Sequence, residues 1–560
     1  MIRLPRRFLC RPAKSTLTVW CAMALGPFTG PLPIAADPAA ELPRERVNTQ
    51  AESPGQVIRV PEGGDFQAAL NAAAPGDTIE LEAGARFPGP FTLPNKPALA
   101  PHESPWITIR SSGIDQSLRP PGVRVAPGDA AAMAKLETTS DPVLTTASGA
   151  HHYRLSGIEF RPSPDPPDSG HRPFVNTLIR LGAAGASGDT IPHHIIIERC
   201  YLHGDPVAGS RRGIVMNAAA VALLDSWLAD FKMAGAESQA VIGWEGSGPI
   251  LLKNNYLEAA GENLMFGGAD PAVPDAVPAD IEIRGNRFRK LTSWKTGSDD
   301  HDGTAWMVKN LFELKNARRV LVDGNLFEYN WPESQNGYAI LFTVRNQQGR
   351  APWSVVEDVT FSNNIVRHVA NGINILGYDD NHPSRQTRRI LIANNLFEDL
   401  GGEWGDGQLL QLLDGTRDVV FENNTALNGG TVLKSERRPH AGFVFRRNIV
   451  MHDGYGIVGS DVAPGMATLQ RYFVDAHLRE NVIVGGSSQD YPAGNEFPST
   501  VEALGFIDPD RGDFRLARSS PYRQGGSGAG ADFGKLCAAL SATERPDFCR
   551  ELSEAVRTPD

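Results

Sequence analysis

Short apolar strands from about residue 250 onward keep ending on asparagine. KNNYL, RGNRF, DGNLF, SNNIV, ANNLF, ENNTA, RRNIV and RENVI place the second or only asparagine at Asn255, Asn286, Asn325, Asn364, Asn395, Asn424, Asn448 and Asn481, at intervals of 31, 39, 39, 31, 29, 24 and 33. Each follows an apolar run such as RRVLVDGN or RRILIANN and precedes another apolar pair. The repeated unit is therefore strand, tight turn, strand, and not a helical period. Asparagine suits that turn because it tolerates left-handed backbone and its amide bonds neighbouring backbone groups. Stacked turns would let the amides bond up and down as a ladder, and loops of different length leaving each coil would make the intervals uneven. A repeat of this length built from strands alone predicts an all-β solenoid, a single-stranded right-handed parallel β-helix. Gly157, Cys200 and Ser226 take the turn position in earlier coils, so the ladder is expected to be incomplete there.

A solenoid lengthens by adding coils, so 560 residues need no linker. The expected organisation is a signal peptide at 1–36, a flexible segment at 37–55, the β-helix at 56–520 and a C-terminal tail or cap at 521–560. Arg3, Arg6, Arg7, Arg11 and Lys14 precede an apolar stretch from about Leu17 to Leu32, and Ala35 and Ala36 follow. That order reads as an export signal and predicts a secreted or periplasmic protein, with no stable membrane insertion after its removal. Cys537 and Cys549 are a plausible disulfide stapling a C-terminal helical cap, and Cys200 reads as a core thiol. Removing the five signal cations takes the formal charge from −11 to −16, which speaks against nonspecific nucleic-acid binding. Arg211-Arg212, Arg318-Arg319, Arg388-Arg389 and Arg446-Arg447 are candidate basic spots or solvated coil edges.

From Val57 the chain reads as a strand, an amphipathic helix from Phe66 to Ala74, a Pro-Gly-Asp turn and further strands. Such a helix would cover the open first coil. This opening resembles the start of secreted right-handed β-helix proteins of the pectate-lyase-like superfamily, over roughly residues 56 to 520. The resemblance implies fold more than reaction.

Insertions follow the middle coils: GADPAVPDAVPAD, LTSWKTGSDDHDGTAW, NQQGRAPW and YDDNHPSRQ. Loops on one side of a solenoid usually wall its binding face, which places a cleft around residues 232 to 385. Alternation in FELKN puts Glu313 and Lys315 outward; in LFTVRN, Thr343 and Arg345 take the corresponding places. Lys315 and Arg345 are then expected to stack, with an anion between them. A strand-ending lysine followed one coil later by a strand-ending arginine is similar to the alginate lyase and chondroitinase B group of polysaccharide lyases. The resemblance implies that Lys315 is a base and Arg345 an acid or carboxylate clamp. It also implies calcium, held by acids on the strand leading to the lysine. Asn310 and Val308 stand five and seven residues before Lys315, so that ligand set is departed from and the metal is left unknown.

β-Elimination from a uronate polymer needs an unprotonated base near the proton beside the carboxyl group and an electrophile for the carboxylate. Asn263, Asn310, Arg345 and Asn374 are candidates for the second task. Glycoside hydrolysis would instead need two carboxyl groups, which Glu262, Glu313, Asp379 and Asp380 could supply from adjacent coils, with Glu262 and Glu313 the alternative acid pair. Uronate epimerisation begins with the same proton removal. A non-catalytic glycan-binding surface protein is the third class. His382, in DDNH, is a candidate polar or cation contact, and Trp306 and Trp353 are candidates for stacking on sugar rings.

Overall fold

The computed structural model describes residues 39–97, 105–164, 174–524 and 528–550; the expected signal peptide at 1–36 lies outside the described residues. Among the described residues the strands form three long parallel sheets of 16, 13 and 12 members and one two-stranded hairpin. The chain visits the sheets in rotation. Ala279–Arg284 lies in the first, Arg287–Arg289 in the second and Phe312–Leu314 in the third, and Ala317–Asp323 returns to the first one coil on. This is a right-handed parallel β-helix. Inward side chains stack in register: Val241, Leu264, Phe312, Ile340, Ile373, Leu410 and Leu433 form one fully buried column of the third sheet. Each such side chain contributes roughly 1.5–3 kcal/mol by leaving water.

The asparagines occupy the corner between the first and second sheets. The Asn255 backbone N–H donates to Asn286 Oδ1 at 2.9 Å, and the same bond repeats through Asn325, Asn364, Asn395, Asn424, Asn448 and Asn481. All eight are fully buried. Ser226 N–H donates to Asn255 Oδ1 and Cys200 N–H to Ser226 Oγ, so the early turn residues join the ladder through a hydroxyl. Asn495 extends it at the far end by accepting from Asn481 N–H at 3.0 Å.

In the first sheet, His152, His194, Ala220, Asp280, Arg319, Asp358, Arg389 and Asp418 all have left-handed backbone. Such a bulge turns two successive side chains to the outside. It accounts for two of the arginine pairs, because their partners are acids on the neighbouring coil: Arg319 bonds both oxygens of Asp280, and Arg388 and Arg389 bond Glu357 and Asp358. These pairs hold coils together and form no basic groove. The described part of the segment expected to be flexible, 39–55, is anchored across this face. Glu41 N–H donates to Asp358, Arg44 N–H donates to Asp280, and Val47 and Ala51 pack with Trp106, Ile196 and Ala222. Sequence reading missed this because the segment has no periodicity of its own; the acids of the bulge supply its acceptors.

Helix Phe66–Ala72 covers the first coil, capped by Asp65 and seated by Phe66 against Phe91 at 4.8 Å between ring centroids. Cys537 and Cys549 are disulfide-bonded. They staple a segment that runs back along the flank, not a cap over the end: Phe533, Leu536 and Phe548 pack on Leu326, Ile365 and Leu396, and Glu544 pairs with buried Arg124 at 2.5 Å. Cys200 is buried, and burial pushes its thiol up to about 12.

Near the far end, buried His440 accepts a hydrogen bond at Nδ1 from Thr416 N–H at 3.0 Å. Burial lowers its pKa from 6.5 to about 4, against a smaller opposing backbone hydrogen bond. Above pH 6.5 both folded and unfolded chains leave this ring neutral. As pH falls towards 4, the unfolded chain takes up a proton that the fold refuses, so stability drops by about 3 kcal/mol from this ring. Urea midpoints at pH 7 and pH 4 should show a smaller difference in His440→Asn than in the native protein.

Candidate active site

Loops leave both edges of the third sheet. Those at 290–311, 331–337 and 401–409 arrive from the second sheet, and those at 267–278, 344–355 and 377–387 return to the first. The outer face of the third sheet is thereby the floor of a groove. Its outward residues read, coil by coil, Val215, Ile242, Met265, Glu313, Leu341, Asn374, Gln411 and Lys434. The early coils are apolar, with Trp244 against Val215, Ile242 and Met265, and the later ones polar.

Where the two stretches meet stands a group of coupled charges. Lys309 Nζ lies 2.5 Å from Glu237 and 2.7 Å from Glu262, whose other oxygen accepts from Gln239 at 2.8 Å. Burial opposes the Lys309 charge, but Glu262, Glu313 and Glu237 outweigh it and raise the lysine pKa. Burial likewise opposes the Glu237 charge, and Lys309 outweighs it, so that carboxyl is held below its ordinary value. Beside them Glu313 accepts from Thr343 Oγ1 at 3.2 Å and pairs with Lys315 Nζ at 3.6 Å. Asn310 Oδ1 and Asn374 Oδ1 are buried and have no hydrogen-bond partner among the described residues. Tyr338, opposite Asn371, directs its hydroxyl at Gln408 and Gln411, 2.6 Å from each.

The structure brings Lys315, Glu313, Asn310 and Asn374 to this floor and assigns other work to the remaining candidates. Glu313 lies opposite Leu341 and Leu314 opposite Phe342, two residues away from the alignment of Glu313 with Thr343. A shift of two preserves alternation, so hydrophobic pattern alone does not detect it. Arg345 N–H still donates to the Lys315 carbonyl at 2.9 Å. Its guanidinium, however, faces Asp379 at 2.9 Å and Asp380. Burial opposes that charge, and the two aspartates outweigh it. Each cation thus has its own anion, and the shared anion expected between Lys315 and Arg345 is not needed.

Asn263 is fully buried in the corner beneath, where its Oδ1 accepts from Lys290 Nζ at 3.1 Å. Lys290, lowered to about 7 by burial, also donates to the carbonyls of Ala259, Ala260 and Gly261. Trp306 is buried with Trp294, Trp331 and Trp404 inside the wall, so its ring offers no face to a sugar. Trp353 ties two loops by donating to the Ala276 carbonyl at 3.2 Å, and His382 is exposed against Gly349. Glu262 has both oxygens bonded and no exposed surface, which removes it as half of a hydrolytic pair with Glu313. The same contacts leave calcium without a fit here: an ammonium already stands between Glu237 and Glu262. Sequence reading passed over Lys309, Glu237, Tyr338 and Gln411. One signal was present, since KNLFELKN carries two Lys-Asn pairs and only the second lysine was read as functional.

A cavity of about 710 Å³ lies elsewhere, beneath the C-terminal segment. Its asparagines, Asn394 and Asn423, bond the carbonyls of Asp532 and Gly528, which makes it a seam between coil edge and tail.

No protein-family model matches this chain, and no curated protein sequence does. Among solved structures, a mannuronic-acid-specific family 6 polysaccharide lyase from human gut microbiota is 11% identical, over 90% of this chain and 99% of that one, with a TM-score of 0.43. The catalytic unit of an α-1,3-glucanase from Streptomyces thermodiastaticus is 12% identical, over 82% and 72%, with a TM-score of 0.46. The A-module of a mannuronan C-5 epimerase from Azotobacter vinelandii is 11% identical, over 78% and 91%, with a TM-score of 0.37. Their names describe three different reactions, so function is argued from this chain's own groove.

Proposed function

We propose that the groove binds an acidic polysaccharide and cleaves it at a uronate residue by β-elimination, in an exported enzyme. The observation that carries this reading is the Lys315–Glu313 pair on the groove floor, beside two amide oxygens that lack partners among the described residues. Proton transfer from the ammonium to Glu313, once substrate displaces water, leaves a neutral amine at Lys315 and an acid at Glu313. The amine takes the proton beside the uronate carboxyl group. The electron pair moves to form the ring double bond and expels the glycosidic oxygen, which receives the proton from Glu313. Both residues then return to their starting charges. The ammonium regenerated on Lys315 faces the charge developing on the carboxylate, while Lys309, neutralised by Glu237 and Glu262, holds the floor in place. Asn374, the half-buried one of the two, would turn its amide towards a ring hydroxyl. Arg345 positions the strand end through Asp379 and Asp380 and is not the carboxylate clamp.

Incubation with alginate, pectate and glycosaminoglycans should raise ultraviolet absorbance from an unsaturated uronate on at least one polymer. Because the proton transfers run between Lys315, Glu313 and the substrate, chelator should change that rate by less than about twofold. Reducing ends without absorbance would sink the elimination in favour of hydrolysis. Exchange of the proton beside the carboxyl group without chain cleavage would favour epimerisation, and unchanged polymer on every substrate would favour a binding protein.

A further inference from the structure

Two adjacent coils of the first sheet carry consecutive histidines at the bulge described above. His151 pairs in register with His193, and His152 and His194 take the left-handed backbone. The bulge turns all four imidazoles to one side. His151 Nδ1 lies 2.8 Å from His152 Nδ1, and His193 Nδ1 lies 2.7 Å from His194 Nδ1. The rings stack between coils, His151 on His193 at 5.0 Å and His152 on His194 at 4.6 Å. Trp106 covers one side at 5.2 Å from His152. The next coil holds Ala219 and Ala220 at these positions and later coils hold arginines and acids that neutralise one another, whereas no acid contacts these rings among the described residues.

We propose that His151, His152, His193 and His194 form a binding site for one divalent transition-metal ion of the imidazole-preferring class. Ring nitrogens of His152, His193 and His194 already lie within 4.8 Å of one another. Metal–imidazole bonds of about 2.0–2.1 Å place two ligands at a right angle about 2.9 Å apart and two tetrahedral ligands about 3.4 Å apart. The Nδ1 pairs, at 2.8 and 2.7 Å, match the right-angle value. That bite suits tetragonal copper(II) or nickel(II) before tetrahedral zinc, and the affinity order of divalent ions points the same way. In the metal-free protein each Nδ1 pair shares one proton, since one ring must donate and the other accept. A bound ion replaces the shared proton of each pair, which moves to Nε2 of the ring that held it, and ties the two coils together beneath Trp106. The site lies on the first sheet, so it is not a further part of the groove on the third.

Untagged full-length protein, dialysed against copper(II), nickel(II) or zinc ions singly, tests this without reference to catalysis. The expected result is one equivalent of copper bound per chain, nitrogen hyperfine structure in its electron paramagnetic resonance spectrum, and a higher melting temperature. In the double variant H152N/H194N the affinity should fall at least tenfold. Asparagine tolerates the left-handed backbone at both positions, so the metal-free variant should melt near the native temperature. Less than one equivalent of each ion on native protein, or a variant within tenfold of it, would overturn the site. If the double variant melts well below native, the single variant His152→Asn carries the same tenfold criterion.

Discussion

Lys315→Ala is expected to slow double-bond formation by about 10²–10⁴-fold, the usual range for losing a positioned general base. Glu313→Gln should cost a similar factor, because the glutamine neither takes the lysine proton nor returns one to the leaving oxygen. The double variant should be little slower than either single one, as expected when two groups act as a unit. Lys315→Arg separates base from cation. Arginine keeps the charge and stays protonated, so its rate should match that of Lys315→Ala. Near-native activity in Lys315→Arg would show that the position supplies only charge, and the base would then have to be sought elsewhere. Melting temperatures control for folding, since Glu313 keeps its bond to Thr343 Oγ1 when Lys315 is truncated.

Legibility differed between fold and site for a physical reason. The ladder corner is buried and repeated, so eight successive coils carry the same amide in the same place and the sequence states it eight times. Interior columns such as Leu264, Phe312 and Ile340 were readable through alternation for the same reason. The groove floor carries no such repetition. Whether Arg345 serves substrate or structure depends on Asp379 and Asp380, more than thirty residues later on a loop of the next coil. Lys309 became meaningful only when coil stacking set it between Glu237 and Glu262, 72 and 47 residues earlier. Trp306 and Asn263 show the opposite error. Both belong to residue types that bind sugars, and both are consumed by the wall and corner that hold the floor in place. The C-terminal segment followed the same rule: its apolar residues announced packing, and only the exposed corner made by Leu326, Ile365 and Leu396 decided where.

Asn364→Ala should cost about 3–5 kcal/mol of stability without touching the groove, because several buried polar groups lose partners at about 1–3 kcal/mol each. Asn364 Oδ1 accepts from the Asn325 N–H and from the Asn325 amide at 2.9 and 3.0 Å. Its own amide donates to the Val322 carbonyl and to Asn395 Oδ1 at 3.0 and 3.1 Å. Truncation leaves the Asn325 N–H and the Val322 carbonyl facing a dry corner. Asn364→Ser should fall between native and alanine, and the chain itself supplies the reason: Ser226 holds the same position by accepting from Cys200 N–H at 3.1 Å and donating to the Leu224 carbonyl at 2.8 Å. A hydroxyl can accept from the preceding coil's N–H and donate to a carbonyl of its own coil, as Ser226 does, but it has no second donor for the next amide. Urea midpoints should therefore rank asparagine above serine and serine above alanine. Because each coil contacts only its neighbours, the loss should weaken the coils around Asn364 first, seen as faster amide exchange there than at the helix-capped first coil. If serine proves no better than alanine, the ladder's backbone acceptor is not what stabilises this corner, and close packing of the turn would have to explain the repeated asparagine.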